Sequence, residues 1–146
     1  MNFPILSSLI LLPIIGSVFI FFNKSSEKNR TIKYVSIFIT FSNFLLSLYL
    51  WYIFDKSIPD FQFIEDREWI SGLINYKVGI DGISILFVVL TAFITPLCVI
   101  SVISTIKYRL KDFLIAILIM ESLMIGVFCS LDLVVFYLFF EGGLIP

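Results

Sequence analysis

Two carboxylates, Glu121 and Glu141, fall inside apolar stretches long enough to cross a bilayer. An ionised side chain at mid-bilayer costs on the order of 2.5–3.5 kcal/mol on insertion scales, so acids kept there face a bundle interior or a water path. Burial favours the protonated form of a carboxyl, and a nearby cation favours the ionised form. A glutamate poised between those pulls switches protonation state as a neighbouring charge moves, which is the chemistry of proton transfer. The competing reading is that each glutamate simply stays protonated and hydrogen-bonded to a neighbouring helix.

The surroundings of the two differ. After Glu121, Ser122, Gly126 and Ser130 recur every four residues with Cys129 alongside, a small-residue stripe suited to close helix packing. Around Glu141 the backbone itself is weakened by Gly142 and Gly143, and Pro146 leaves the Gly142 carbonyl without its usual donor. Tyr137 stands four residues before Glu141, within reach of a hydrogen bond. A freed carbonyl, a tyrosine and a carboxylate at one depth are the groups a proton or water path needs. No Lys or Arg lies within any span, so a cationic partner has to come from sequence beyond this stretch or from another subunit.

Other chemistries are excluded. The chain contains no His, the commonest metal ligand and the usual haem axial ligand. Cys98 and Cys129 stand alone in apolar runs without a CxxC pattern, and read as small hydrophobes. No redox centre and no metal site is expected in this chain. Ten Lys and Arg against eleven Asp and Glu give a net charge of −1, which leaves no basic surface for nucleic acid.

The elements that must position the two acids are membrane helices. Of 146 residues, 60% are hydrophobic and only 14% charged, and the mean hydropathy is +1.07. An ordinary soluble domain is about 45–50% apolar and about 25% charged. The composition therefore predicts an all-α integral membrane protein, a single membrane domain over residues 1–146. Residues 3–22, 34–54, 82–106 and 113–131 are each long enough to span, and a fifth, incomplete helix covers 133–146. Residues 113–146 cannot form one helix, since they would reach roughly 50 Å against a hydrocarbon core of about 30 Å. The turn belongs at Ser130-Leu131-Asp132, with Asp132 as N-cap of the fifth helix. Measured from that turn, Glu121 lies roughly 16 Å deep and Glu141 roughly 14 Å.

Orientation follows from the basic loops. Lys24, Lys28, Arg30 and Lys33 form one cluster, and Lys107, Arg109 and Lys111 another. Both are expected to face the cytoplasm or matrix, which puts the N-terminus on the outer side. The loop at 55–81 carries six acids, namely Asp55, Asp60, Glu65, Asp66, Glu68 and Asp81, and then faces outward. Its Phe61-Gln62-Phe63-Ile64 stretch alternates like a strand, and with Trp69 and Tyr76 it reads as an interfacial hairpin or aromatic belt; Trp51 and Tyr52 fit the same belt. Asp81 is expected to cap the third helix. Pro4, Pro13 and Pro96 are tolerated in membrane helices. The N-terminal run lacks the basic start of a cleavable signal. A free carboxylate at Pro146 would sit roughly 21 Å into the membrane, so the chain is expected to be the front part of a longer polypeptide or to be completed by another chain.

At these residues the chain resembles a known family. Val78-Gly79-Ile80-Asp81-Gly82-Ile83-Ser84 with Thr95-Pro96-Leu97-Cys98 is similar to the third-helix region of the antiporter-like subunit M of respiratory complex I, chain 4 of the mitochondrial NADH dehydrogenase. Glu121-Ser122, Gly126-Val127-Phe128, Leu131-Asp132-Leu133 and Phe139-Phe140-Glu141-Gly142-Gly143-Leu144-Ile145-Pro146 resemble its fourth and fifth helices. The resemblance covers essentially the whole chain. It implies a fourteen-helix proton-translocating subunit of NADH:quinone oxidoreductase, in which the glutamate matching Glu141 pairs with a lysine on the seventh helix. It also implies that NADH, FMN, iron–sulfur clusters and quinone are held by other subunits. The expected partners are the other membrane subunits of the complex, the remaining helices of the same subunit and the lipid bilayer. The expected location is the bacterial plasma membrane or the mitochondrial inner membrane. Glu141 is the candidate proton-exchanging residue and Glu121 a second candidate. Two other functions fit the same residues: a subunit of a multisubunit cation/proton antiporter, and a structural membrane fragment whose glutamates only stabilise packing.

Overall fold

The computed structural model describes residues 4–23, 30–70, 74–106 and 108–144, with the backbone alone at 68–70 and 74. Lys24, Glu27, Lys28 and Lys107 of the basic segments, the Trp69 side chain, Ile145 and Pro146 lie outside the described residues. The elements run α1 Ile5–Phe22, α2 Arg30–Ile53, β1 Gln62–Ile70, β2 Ile74–Ile80, α3 Ser84–Thr105, α4 Leu110–Cys129 and α5 Leu133–Gly142. The first four helices are each long and apolar enough to cross a membrane, and α5 is a shorter apolar helix. The all-α membrane bundle expected from composition is the fold observed.

The helices form where uncharged apolar residues run without interruption, and each shows a different buried stripe. On α1 the buried positions Leu6, Leu9, Ile10, Pro13, Ser17 and Ile20 return every three or four residues. On α2 the buried stripe is polar: Ser36, Thr40, Asn43 and Ser47 between Ile32 and Leu50. Two apolar layers fill the bundle. One contains Leu6, Leu9, Leu50, Val78, Ile80, Ile85 and Ile125, towards the hairpin. The other contains Ile20, Ile32, Val99, Leu110, Leu114 and Leu118, at the opposite end.

Helix boundaries depart from those expected. α2 begins at Arg30 and α4 at Leu110, ahead of the residues 34 and 113 where charge gives way to apolar sequence. Charged side chains do not stop a backbone that has partners for them. Lys111 Nζ donates to the carbonyls of Phe21 (3.1 Å) and Asn23 (2.7 Å), capping the end of α1, where a cation is favoured by the helix dipole. α5 stops at Gly142 instead of continuing helically through 144. The Gly143 and Leu144 N–H groups bond to the carbonyls of Phe139 and Glu141 in a closing turn. Pro4 precedes α1 as its N-cap residue, while Pro13 and Pro96 sit within α1 and α3.

The loop at 55–81 contains the hairpin its alternation predicts. β1 and β2 pair antiparallel, Gln62 opposite Ile80 and Glu65 opposite Val78, with a bulge between them where Phe63 takes φ 56°. The hairpin is pinned to the helix ends. Leu131 N–H donates to the Lys77 carbonyl at 2.9 Å, Val78 bridges Ser130, and Glu65 accepts from the Ser7 hydroxyl of α1. Tyr76 Oη lies 3.1 Å from the same hydroxyl.

Of the two expected acidic caps, Asp132 stands at the N-cap position and Asp81 does not, since the N-cap residue of α3 is Ile83, two residues later. Asp132 is the N-cap of α5 and accepts from Val134 N–H at 2.8 Å and Val135 N–H at 3.3 Å. Asp132→Ala is expected to cost about 1 kcal/mol, measured as a lower thermal midpoint. Asp81 accepts from Ser84 N–H at 2.7 Å and Ile83 N–H at 3.1 Å ahead of α3. The Ser84 N–H holds the Asp81 carboxyl below its ordinary value of 3.8. A depressed carboxyl contributes stability that is present above the unfolded value and is lost as pH falls through the folded one. The acid limb of the thermal stability curve is therefore expected to flatten in Asp81→Asn, and an unchanged limb would remove Asp81 from the account.

Candidate functional site

The structure treats the two candidate glutamates differently. Glu121 of α4 is 2% exposed. Its Oε1 accepts a hydrogen bond of 3.0 Å from Asn43 Nδ2 of α2, in the middle of that helix's polar stripe. The other oxygen, Oε2, and the Asn43 Oδ1 are both buried without a hydrogen-bond partner. Glu121 also lines a cleft of about 280 Å³ between α3 and α4, with Thr91, Thr95, Cys98 and Phe128 among its walls.

Glu141 of α5 is exposed on the bundle surface. Tyr137, also on the exposed face of α5, is 59% exposed. The expected Tyr137–Glu141 hydrogen bond is not made among the described residues. Both side chains share a helical face but point outward, where nothing draws them together. The carbonyl that Pro146 was expected to free lies next to the end of the described residues, so that part of the expectation falls outside them.

The two acids do not share an environment. A Cβ placed at Gly142 would lie 3.3 Å from Leu123 Cδ2, so α5 reaches the level of Glu121 where it ends. Glu121 and Leu123 are two residues apart on α4, roughly 200° around the helix. One faces α2 and the α3–α4 cleft, and the other faces α5. The small-residue stripe splits the same way. Ser122 Oγ donates to the Ile10 carbonyl of α1, while Gly126 seats the Phe139 ring of α5.

Asn43 is the residue that reading the sequence missed. Its signal was available in the spacing Ser36, Thr40, Asn43, Ser47, which repeats every four, three and four residues along an apolar helix and marks a polar face turned towards protein. A groove of about 740 Å³ between α1, α4, α5 and the hairpin is lined by Leu11, Leu138 and Phe139 with Arg67 and Tyr76 at one end, and neither glutamate lines it.

An apolar helical bundle with an acid buried in its middle defines a multi-pass membrane protein. No family model matches the chain. It is 45% identical over 142 residues to NADH-ubiquinone oxidoreductase chain 4 of Marchantia polymorpha, covering 97% of this chain and 28% of that protein. It is 54% identical over 118 residues to NADH-quinone oxidoreductase subunit M of Rhodobacter capsulatus, covering 81% of this chain and 23% of that protein. With subunit M of Rickettsia conorii the identity is 40% over 151 aligned positions, covering 100% of this chain and 31% of that protein. The chain is a homologue of the subunit M and chain 4 family of NADH:quinone oxidoreductase. It spans between about a quarter and a third of the length of these relatives.

Proposed function

We propose that the chain is part of a membrane-arm subunit of NADH:quinone oxidoreductase and takes part in redox-driven proton translocation, with Glu141 as the proton-exchanging carboxylate. The observation that carries this reading is the alignment of the whole chain with subunit M and chain 4 proteins. Glu141 lies in the stretch by which the chain resembles that family most specifically. The geometry supports it in two ways. Glu141 lies on the face of α5 that leaves Leu133, Tyr137, Leu138 and Phe140 exposed, an apolar surface suited to receiving further helices and the lysine they carry. Glu121, by contrast, is already enclosed by α2, α3 and α4, which makes it a secondary proton-holding group.

In this reading the N-terminus faces outward. The support is the grouping of Arg30, Lys33, Arg109 and Lys111 at the ends of α1–α4 away from the acidic hairpin. NADH, FMN, iron–sulfur clusters and quinone belong to other subunits, and this chain contributes proton-path residues alone. The test is native-gel separation of gently solubilised membranes, stained for NADH dehydrogenase activity and probed with an antibody to residues 55–81. Co-migration with the large NADH-oxidising band is expected. Migration in a smaller assembly lacking that activity would overturn the reading and favour the cation/proton antiporter.

A further inference from the structure

A buried acceptor without a donor gives up the hydrogen bonds it had in water and gains none in return, and this bundle holds two of them, on two side chains that touch. Asn43 Oδ1 and Glu121 Oε2 belong to side chains already joined by the 3.0 Å bond from Nδ2 to Oε1. Both residues are inaccessible, Asn43 at 0% and Glu121 at 2% exposure. An ionised carboxylate has acceptor atoms alone, whereas a protonated one also donates.

The neighbouring hydroxyls cannot supply the missing donor, because each has one proton and has spent it. On α2, Ser36 donates to Ile32, Thr40 to Ser36 and Ser47 to Phe44 carbonyls. On α3, Thr91 donates to Phe87 and Thr95 to Thr91 carbonyls. On α4, Ser122 donates to the Ile10 carbonyl of α1. Nor does a cation offset a charge here. Among the residues lining the adjoining cleft, Cys98 is the one other titratable group, and the described basic residues of α2 and α4, namely Arg30, Lys33 and Lys111, stand ten or more residues along their helices from Asn43 and Glu121.

We propose that Asn43 and Glu121 form a proton-holding pair, in which Glu121 keeps its proton on Oε2 and donates it to Asn43 Oδ1 while Asn43 Nδ2 donates to Oε1. One proton converts an acceptor into a donor and satisfies both orphaned atoms at once. The result is a neutral acid–amide ring that ties α2 to α4 without placing a charge in the bundle. Glu121 is then a positioning residue that retains its proton while Glu141 exchanges. This division of labour rests on the reading of the chain given above; the pairing itself does not.

The test is infrared spectroscopy on the intact, purified membrane complex at neutral pH, comparing the native protein with Glu121→Gln and Asn43→Leu. Glu121→Gln is expected to assemble, because its amide N–H reproduces the donor to Asn43 Oδ1, and to lose one protonated-carboxyl C=O band with no loss of carboxylate bands. Asn43→Leu is expected to move that band to higher frequency as the carboxyl loses its partner. Loss of carboxylate bands in Glu121→Gln would overturn the proposal and point to a bound water donating to both acceptors. Failure of Glu121→Gln to assemble would also overturn it. Pumping that survives in Glu141→Gln would instead defeat the role of Glu141 and leave the infrared result standing.

Discussion

Glu141→Gln is expected to leave the complex assembled and to lower NADH-driven proton pumping on the order of a hundredfold, the lower end of what a positioned acid–base group contributes. Assembly should survive because Glu141 lies exposed on α5 and its side chain makes no hydrogen bond or ion pair among the described residues. The side chain keeps its size and loses its ability to ionise. A neutral amide neither releases a proton nor alters the proton affinity of a lysine beside it. Pumping is read as the pH change on adding NADH to sealed vesicles, with electron transfer to quinone measured in the same preparation. Glu141→Asp is expected to retain part of the activity, since the charge survives on a shorter stem. Full pumping in assembled Glu141→Gln would end the assignment.

Gly126→Leu is expected to prevent α5 from docking on α4 and, through that, to abolish accumulation of the assembled subunit. A Cβ at Gly126 would lie 2.7 Å from two atoms of the Phe139 ring and 2.8 Å from a third, and neither the ring nor the two helix backbones can yield that distance by rotating a flexible end. Gly126→Ala alone is expected to cost about 1–3 kcal/mol through overpacking, and leucine more. The check is abundance of the subunit in membranes, followed by its thermal midpoint. Phe139→Ala should partly restore the Gly126→Ala variant, since it removes the atoms that clash. Absence of that rescue would mean that the glycine serves something other than this contact.

Much of this architecture was legible because bilayer insertion imposes a simple code. The helices and their order follow from four apolar runs, and the α4–α5 turn follows from the excess length of residues 113–146 against the membrane. The hairpin was visible in the alternation at Phe61–Ile64, although the bulge at Phe63 was not, since its positive φ depends on pairing with a strand over ten residues further on. Boundaries were less legible. Lys111 and Asp112 look like loop residues until the α1 carbonyls that receive Lys111 are in place. Glu121 was conspicuous as a charge in apolar sequence, but its partner was not. Asn43 carries no formal charge, so an argument from the cost of inserting ions passes over it, while the spacing of Ser36, Thr40 and Ser47 around it held the information. Residue counts along a helix do not say which neighbour each face meets, and that azimuth is what turns Glu121 towards α2 and away from α5.

The bond from Lys111 to the Phe21 carbonyl closes a loop of 90 residues, and Ser122 reaches back 112 residues to the Ile10 carbonyl. The polar contacts that finish the first helix are thus supplied by the fourth. During synthesis the first helix therefore enters the membrane with its terminal carbonyls and its Ile10 carbonyl still lacking these tertiary partners. A nascent chain halted before residue 111 should remain a loose set of helices, open to membrane proteases, and resistance should appear in one step as the fourth helix leaves the ribosome. For this bundle, the order of manufacture and the order of folding are different sequences.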